Sequence, residues 1–169
     1  MVHKIPSDPD FIKMQNAYNK LFGDTKNIKG SQYILFLFIV ILDLLTKSYF
    51  SARTVVIIPN FLSLTPVTNT GSAFGLFQWL PNTVYIALSM IVIIGVAMMG
   101  GFMSRKNSLF VPYLTTFFVA GIAGNLWDRL LFGYVRDFIT FSFWPSFNVA
   151  DSVMVVSVVL FLWYEFQRK

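Results

Sequence analysis

Four long apolar stretches limit what this chain can fold into. They run over about residues 33–50, 84–103, 109–127 and 149–166. A helix that crosses the hydrocarbon core of a bilayer needs roughly 20 residues, so each stretch is long enough or nearly so. Charged residues make up 12% of the chain, whereas they make up about 25% of a typical soluble domain. The sequence therefore predicts an α-helical membrane protein with four transmembrane helices.

The basic residues predict how these helices are oriented, because short cytoplasmic loops are rich in Lys and Arg. Basic residues occur before the first stretch, at Arg105 and Lys106 between the second and third, and in the last two residues. With four spans these regions lie on one side, so both termini are expected in the cytoplasm. The net charge of +5 then reflects topology, and no nucleic-acid partner is expected. Three arginines fall near the outer face and need partners there: Arg53, Arg129 and Arg136.

The segments outside the apolar stretches predict three further features. Residues 1–30 form a polar cytoplasmic arm, which has no apolar core of the kind found in cleavable signal peptides, and residues 31–169 form the membrane domain. The spacing of apolar residues in the arm is consistent with an interfacial amphipathic helix. A disordered arm fits the sequence about equally well. Two β-branched or alternating runs between the first two helices predict a small β-rich extracytoplasmic cradle. The aromatic-rich connection 132–147 is expected at the level of the lipid headgroups.

The residue types that are rare in this chain exclude several chemistries. There is no cysteine, and the single histidine is His3 in the polar arm. Thiol nucleophiles, Ser-His-Asp triads and Cys or His metal sites each lack an essential member. We therefore expect neither a metal nor another cofactor, and carboxylates are the leading catalytic candidates.

Acidic and amide side chains gather at the outer ends of the apolar stretches. An ionisable group at membrane depth costs a few kcal/mol or more, so such residues are functional candidates. Four of the eight acidic residues occur in this zone. Together with two asparagines they form the set Asp43, Asn125, Asp128, Asp137, Asn148 and Asp151.

The end of the third stretch combines small and polar residues on one helix. Gly121 and Gly124 share a face and allow a neighbouring helix to come close. Asn125, Asp128 and Arg129 are spaced i, i+3 and i+4, which places them on one stripe. A purely structural role for Asp128 in holding a loop remains open. Arg129 fits a loop, a substrate backbone or a lipid headgroup.

Two aspartates near the last helix form a candidate catalytic pair. Asn148 and Asp151 resemble a capping box, which alone would account for both, but a cap does not account for Asp137. The third and fourth helices should be antiparallel neighbours, so Asp137 and Asp151 can meet near the outer surface. Two close carboxyls share one proton, as in aspartic proteases. Asp151, at a helix N-terminus, would be the anion that activates water, and Asp137 would be the acid.

Five blocks of sequence, in order, resemble the lipoprotein signal peptidase (signal peptidase II) family, and the resemblance covers residues 31–169. Ser72 and Thr46 stand where the family more often has alanine and serine, and the polar arm is longer than usual. The blocks are residues 43–47 (DLLTK), 69–74 (NTGSAF), 124–129 (GNLWDR), 135–138 (VRDF) and 147–152 (FNVADS).

This resemblance implies an activity and a location. The family cleaves the signal peptide from diacylglyceryl-modified prolipoproteins on the amino side of the lipidated cysteine, by aspartic chemistry without a cofactor. It works as a multi-pass protein of the bacterial inner membrane, in contact with lipid and with its site facing the periplasm, and globomycin-type cyclic peptides inhibit it. We expect a monomer.

The resemblance also assigns roles to individual residues. Asp137 and Asp151 match the catalytic pair, and Asn69, Asn125 and Arg129 match positions that line the substrate pocket. The positions that support the site are matched by Asp43, Lys47, Gly71, Asp128, Asn148 and Ala150. Asp43 and Lys47 also fit an ordinary i, i+4 ion pair.

The sequence argues against three other kinds of membrane protein. A transporter subunit with buried acids should carry them near the bilayer midplane, whereas these cluster at one face. An intramembrane aspartyl protease of the presenilin type needs a Gly-x-Gly-Asp sequence deep in a span, which this chain lacks. A pure scaffold would not need the costly pairing of Asp137 with Asp151.

Overall fold

The computed structural model describes Lys13 and residues 28–71, 77–104 and 110–167. The chain divides into two units, Met1–Ile34 and Leu35–Lys169, and every residue of the candidate site belongs to the second. The prediction of an arm helix lies outside the described residues, as do the basic residues at 105, 106, 168 and 169. The described elements are α1 (Ile28–Phe50), β1 (Val55–Ile58), β2 (Leu62–Asn69), α2 (Asn82–Ser104), α3 (Phe110–Phe132), β3 (Val135–Phe141), β4 (Trp144–Phe147) and α4 (Val149–Gln167).

The four helices overlap the four apolar stretches of the sequence. α1, α3 and α4 are long and apolar enough to cross a membrane, and the Asn82–Val96 part of α2 is a shorter apolar helix. Large apolar side chains on these helices point away from the protein, including Leu45, Ile91 and Leu162, each more than 60% exposed. An apolar surface of this kind is typical of contact with lipid. The architecture is that of a membrane protein with a small antiparallel sheet.

The third helix extends further than hydropathy predicts. The apolar stretch was expected to end at residue 127, but α3 continues to Phe132. The added turn contains Asp128 and Arg129, which lower the hydropathy of the segment. Both side chains are buried and bonded to protein groups, so the helix can carry them without exposing charge to lipid.

Close helix packing occurs where the sequence predicts it. A Cβ atom added at Gly121 would lie 2.6 Å from the Ala150 carbonyl oxygen on α4 and 2.5 Å from Met154. One added at Gly124 would lie 2.6 Å from a carboxylate oxygen of Asp43 on α1. The two glycines therefore let α3 approach both neighbouring helices, as the shared small-residue face predicts.

The sheet is larger than the sequence predicts. It has four antiparallel strands in the order β1-β2-β3-β4. β1 and β2 come from the connection between α1 and α2, as predicted, but the sheet is not confined to that connection. β3 and β4 come from the aromatic connection between α3 and α4. Pro66 lies within β2 where the pairing with β3 is irregular, between Leu64 and Val67, which is a position that tolerates proline.

Candidate active site

The polar residues singled out in the sequence lie together where the helices meet the sheet. Among the described residues, seven polar or charged side chains are buried, and all but Ser157 belong to the predicted set or its supporting positions. They are Asp43, Lys47, Asp128, Arg129, Asp137, Asn148 and Ser157. Buried charges need partners to offset their desolvation, and each of the charged ones has them.

Asp137 is held at the inner face of β3 by two asparagines. β3 pairs with β2, where Val67 stands opposite Asp137, and Asn69 ends the same strand. The Asn69 side-chain amide donates to one oxygen of Asp137 at 2.9 Å, and the Asn148 amide donates to the other at 2.7 Å. The Asp137 carboxyl is 2% exposed, so its position is fixed by the sheet and by α4.

Asp151 lies in the first turn of α4 and takes part in its cap. Its backbone N–H donates to the Asn148 side-chain oxygen at 2.9 Å, and the Asn148 backbone N–H donates to Asp151 Oδ2 at 3.2 Å. This reciprocal arrangement is a capping box with aspartate in place of glutamate. The remaining oxygen, Oδ1, accepts a hydrogen bond from the Asn125 amide at 2.8 Å.

The two carboxyls converge on one residue, Asn148. Its backbone N–H serves Asp151, and its side-chain amide serves Asp137. Each of the four carboxyl oxygens thus accepts one hydrogen bond, and every donor is a neutral amide. Helix capping and contact with both aspartates are therefore not alternative explanations of Asn148, because this residue caps α4 and also donates to Asp137 and Asp151.

Burial makes the Asp137 carboxyl difficult to ionise. The pKa of Asp137 is raised from 3.8 to about 7, chiefly because burial disfavours the charged form and also because Asp151 lies nearby. The hydrogen bonds from Asn69 and Asn148 act in the opposite direction but are the weaker influence. A carboxyl of this kind can hold a proton at neutral pH and can also release it, which is what general acid catalysis requires.

A second polar network lies behind this pair. The Lys47 ammonium on α1 lies 2.7 Å from Asp43 Oδ2 and 3.4 Å from Asp128 Oδ2. The other Asp43 oxygen accepts the Ala150 backbone N–H at 2.9 Å. The i, i+4 ion pair expected from the sequence is thus present, and it is extended by contacts to α3 and α4.

Asp128 anchors the start of β3. The Arg136 backbone N–H donates to Asp128 Oδ2 at 2.9 Å, and the Arg136 guanidinium donates to Asp128 Oδ1 at 2.7 Å. These bonds hold the residue next to Asp137 against α3. These contacts are of the kind expected if Asp128 has the structural role of holding a loop, which the sequence left open.

Arg129 points to a different part of the chain. Its guanidinium donates to the Gly71 carbonyl oxygen and lies 3.4 Å from Asn82 Oδ1, at the start of α2. It also lies 4.2 Å from the centre of the Tyr85 ring, a cation–π distance. Gly71 is itself tied to the site, since its N–H donates to Asn69 Oδ1 at 3.0 Å.

The three arginines that the sequence predicts near the outer face all lie over aromatic rings. Arg53 lies over Tyr49 at 4.2 Å, and Arg136 lies over Phe132 at 4.5 Å. Arg129 over Tyr85 is the third case. Stacking of this kind lets a guanidinium sit beside apolar surroundings.

Sequence reasoning missed two partners in the site, Asn82 and Tyr85. The Asn82 amide also donates to the Arg129 carbonyl oxygen at 2.8 Å. The dipeptide Pro81-Asn82 before an apolar run is a helix-start signal and could have drawn attention to this position. Tyr85 carried no comparable signal, because one tyrosine in an apolar stretch is unremarkable.

A small pocket opens beside Asp137. Its volume is about 100 Å³, and it lies between the C-terminal end of α1 and strands β2 and β3. It is lined by Lys47, Phe50, Ser51, Pro66, Val67, Thr68, Tyr134, Arg136 and Asp137. In the described parts of the chain, no three His, Cys, Asp or Glu side chains are arranged to hold a metal ion.

This chain is similar to known proteins in both sequence and fold. Residues 35–167 match the family described as Signal peptidase (SPase) II. Proteins named lipoprotein signal peptidase from Thermodesulfovibrio yellowstonii and Pseudomonas putida are 34% and 30% identical to it, over 77% and 80% of this chain and 90% and 86% of theirs. A solved structure described as a bacterial membrane enzyme is similar with a TM-score of 0.72 and 28% identity, over 82% of this chain and 88% of that one.

Proposed function

Because this chain belongs to the signal peptidase II family, we propose that it is an aspartic endopeptidase with Asp137 and Asp151 as its catalytic pair. Membership of the family makes it a peptidase of lipoprotein processing. The proposed substrates are diacylglyceryl-modified prolipoproteins, cut on the amino side of the lipidated cysteine. The observation that carries the proposal is the convergence of two carboxyls on Asn148, one of them with a pKa of about 7.

The proposed reaction uses one proton on the pair. Asp151, at the N-terminus of α4, carries the negative charge and takes a proton from a water molecule. The water oxygen attacks the scissile carbonyl carbon while Asp137 donates its proton to the carbonyl oxygen. Collapse of the tetrahedral intermediate then breaks the C–N bond. Asp137 takes a proton back from a hydroxyl group of the intermediate as the new carboxyl group forms, and the leaving amine takes the proton that Asp151 accepted. The pair is left ready for the next turnover.

The proposed substrate contacts surround the pair. Asn69 and Asn125 each donate to one of the carboxyls, so a peptide that reaches the pair passes beside their amides. Arg129 holds the Gly71 carbonyl, and in the proposal it positions this part of the chain beside the carboxyl pair, where substrate, or a globomycin-type cyclic peptide, is bound.

The connectivity supports a site at one face of the membrane. α1 and α3 lead into strands β1 and β3, while α2 and α4 follow strands β2 and β4. If all four helices span the bilayer, their sheet-side ends lie on one face and both termini lie on the other. In the proposal the sheet side is periplasmic, the termini are cytoplasmic, and the monomer contacts its substrate from within the lipid. A proton- or cation-carrying transporter is less well supported, because the paired carboxyls lie on a strand and at a helix start rather than in the middle of helices.

The test is cleavage of a lipid-modified prolipoprotein by purified variants. Asp137→Asn and Asp151→Asn each remove one ionisable group while keeping its size, and each should lower kcat by at least about 10³-fold, since neither role survives the change. Glu165→Gln is the matched control, because it removes a carboxyl from the same helix roughly 21 Å from Asp151 and should leave kcat unchanged. Cleavage at the wild-type rate by either aspartate variant would refute the proposed chemistry.

A further inference from the structure

Lys47 is a buried cation that the proposed reaction does not use. It lies on α1, and its ammonium has three acceptors around it. Two are the Asp43 and Asp128 carboxylates described above, and the third is the Asn125 side-chain oxygen at 2.8 Å. An ammonium can donate hydrogen bonds but cannot accept them. The Lys47 ammonium donates to Asn125 Oδ1 and forms ion pairs with the two carboxylates.

The contact between Lys47 and Asn125 determines which end of the Asn125 amide faces Asp151. A primary amide has an oxygen on one side and an NH₂ group on the other, and the two are nearly equal in shape. Lys47 can only donate, so the side of Asn125 that faces it must be the oxygen. The NH₂ group is then turned toward Asp151, where it donates to Oδ1 at 2.8 Å.

The same oxygen links the two halves of the site. Asn125 Oδ1 also accepts the Asn148 amide at 3.1 Å, and that amide donates to Asp137. Reversal of the Asn125 amide would therefore bring two NH₂ groups together on one side. On the other side it would place an amide oxygen against the Asp151 carboxyl.

We propose that Lys47 is a positioning residue for the Asp137–Asp151 pair, because its ammonium fixes the orientation of the Asn125 amide. This inference rests on the proposed function, since it concerns the same site. Lys47 acts through the Asn125 side chain rather than on the reacting atoms.

A simpler role for Lys47 is to neutralise Asp43. The charges in this network balance, with Lys47 and Arg136 facing Asp43 and Asp128. Removing Lys47 alone would leave a buried carboxylate uncompensated, which is strongly destabilising. A single substitution therefore cannot separate the two roles.

Paired substitutions separate them. Asp43→Asn/Lys47→Met and Asp43→Asn/Lys47→Gln both remove one positive and one negative charge. They differ in that glutamine can still donate an N–H toward Asn125, whereas methionine cannot. Each variant is compared with Asp43→Asn in thermal unfolding and in kcat and KM for a lipid-modified prolipoprotein.

The expected result is that both pairs fold, with kcat of the methionine pair about 10²-fold below that of the glutamine pair and KM little changed, as for a misplaced catalytic group. Equal kcat values in the two pairs would overturn the inference. If the methionine pair does not fold, Asp43→Asn/Lys47→Leu takes its place in the same comparison, with the same two outcomes. A folded but inactive glutamine pair also overturns the inference, because this variant keeps an N–H donor toward Asn125.

The outcome also distinguishes this inference from the proposed function. Asp137→Asn is assayed with the same substrate. If it is inactive while the two pairs cleave equally well, only the role of Lys47 is lost. If it cleaves at the wild-type rate, the aspartic mechanism itself is lost.

Discussion

At the scale of single residues, Asn148 joins helix capping to the candidate catalytic pair. Its side-chain oxygen caps α4 through the Asp151 N–H, while its amide nitrogen donates to Asp137 and Asn125. An aspartate of the same shape could cap the helix but could not donate to Asp137. The position therefore requires an amide, which explains why a plain capping residue would not be sufficient here.

Substitutions of Asn148 should separate stability from activity. Asn148→Ser keeps an oxygen that can accept the Asp151 N–H, whereas Asn148→Ala removes it. We expect the serine variant to be more stable than the alanine variant by about 1 kcal/mol, the usual value of an N-cap. Both should lose most cleavage activity, because neither side chain can reach Asp137. Thermal unfolding and cleavage assays of the two proteins check this, and an active serine variant would show that the Asn148 amide is dispensable.

At the scale of secondary-structure elements, α3 is the helix around which the site is built. It packs against α2 and α4, and its glycines admit Asp43 from α1 and Ala150 from α4. Its last turns carry Asn125, Asp128 and Arg129. Their partners lie on α1, α2, β3 and α4 and at the loop residues Gly71 and Asn148. A small change in the spacing of α1 and α3 would therefore shift several hydrogen bonds at once.

Gly124→Ala should show how tight this packing is. The new methyl group would meet a carboxylate oxygen of Asp43 at 2.6 Å, and Asp43 is itself held by Lys47 and the Ala150 N–H. We expect a loss of stability of about 1–3 kcal/mol, typical of overpacking. Gly95→Ala in α2 is the matched control, because nothing lies within 4 Å of its new methyl and it should gain up to about 1 kcal/mol from helix propensity. Equal melting temperatures for the two variants would contradict this account of the helix contact.

Features of these elements that depend on residues close together in the sequence could be predicted. The Asp43–Lys47 pair, the capping box and the glycine face depend on residues within one helix turn or two, and the structure has all of them. β3 could not be recognised in the same way. Its partner strand lies some 70 residues earlier in the chain, and its pattern is interrupted by Arg136 and Asp137. The stripe Asn125, Asp128 and Arg129 was predicted, but the different destinations of the three side chains depend on the tertiary fold.

At the scale of the whole molecule, the sheet and the polar site occupy one end of the helices. Each helix of the described chain has one end that leads into, or follows, a strand of the sheet. Exposed apolar side chains occur along the helices, including Leu130 and Leu131 at the sheet end of α3. This arrangement suits a reaction at the membrane surface, where a peptide bond can be reached from the lipid while water and ionisable groups are still available.

Cysteine labelling can test the proposed orientation, because the chain contains no cysteine of its own. Phe143 is 68% exposed at the turn between β3 and β4, and Gln167 ends α4 at the opposite end. In cells with a permeabilised outer membrane, a membrane-impermeant maleimide should label Phe143→Cys. It should label Gln167→Cys only after the inner membrane is opened. The reverse pattern would place the site on the cytoplasmic side.

The pH dependence of kcat/KM tests the shared proton most directly. The reaction needs one proton on the pair, and the pKa of Asp137 is raised from 3.8 to about 7 by burial and by Asp151. As the pH rises through this value both carboxyls become charged, so kcat/KM should fall by about tenfold per pH unit. At low pH the second carboxyl also takes up a proton and the rate should fall again, which gives a bell with two ionisations that belong to the pair. A profile with a single ionisation, or one that stays flat from about pH 7 to 9, would contradict the account.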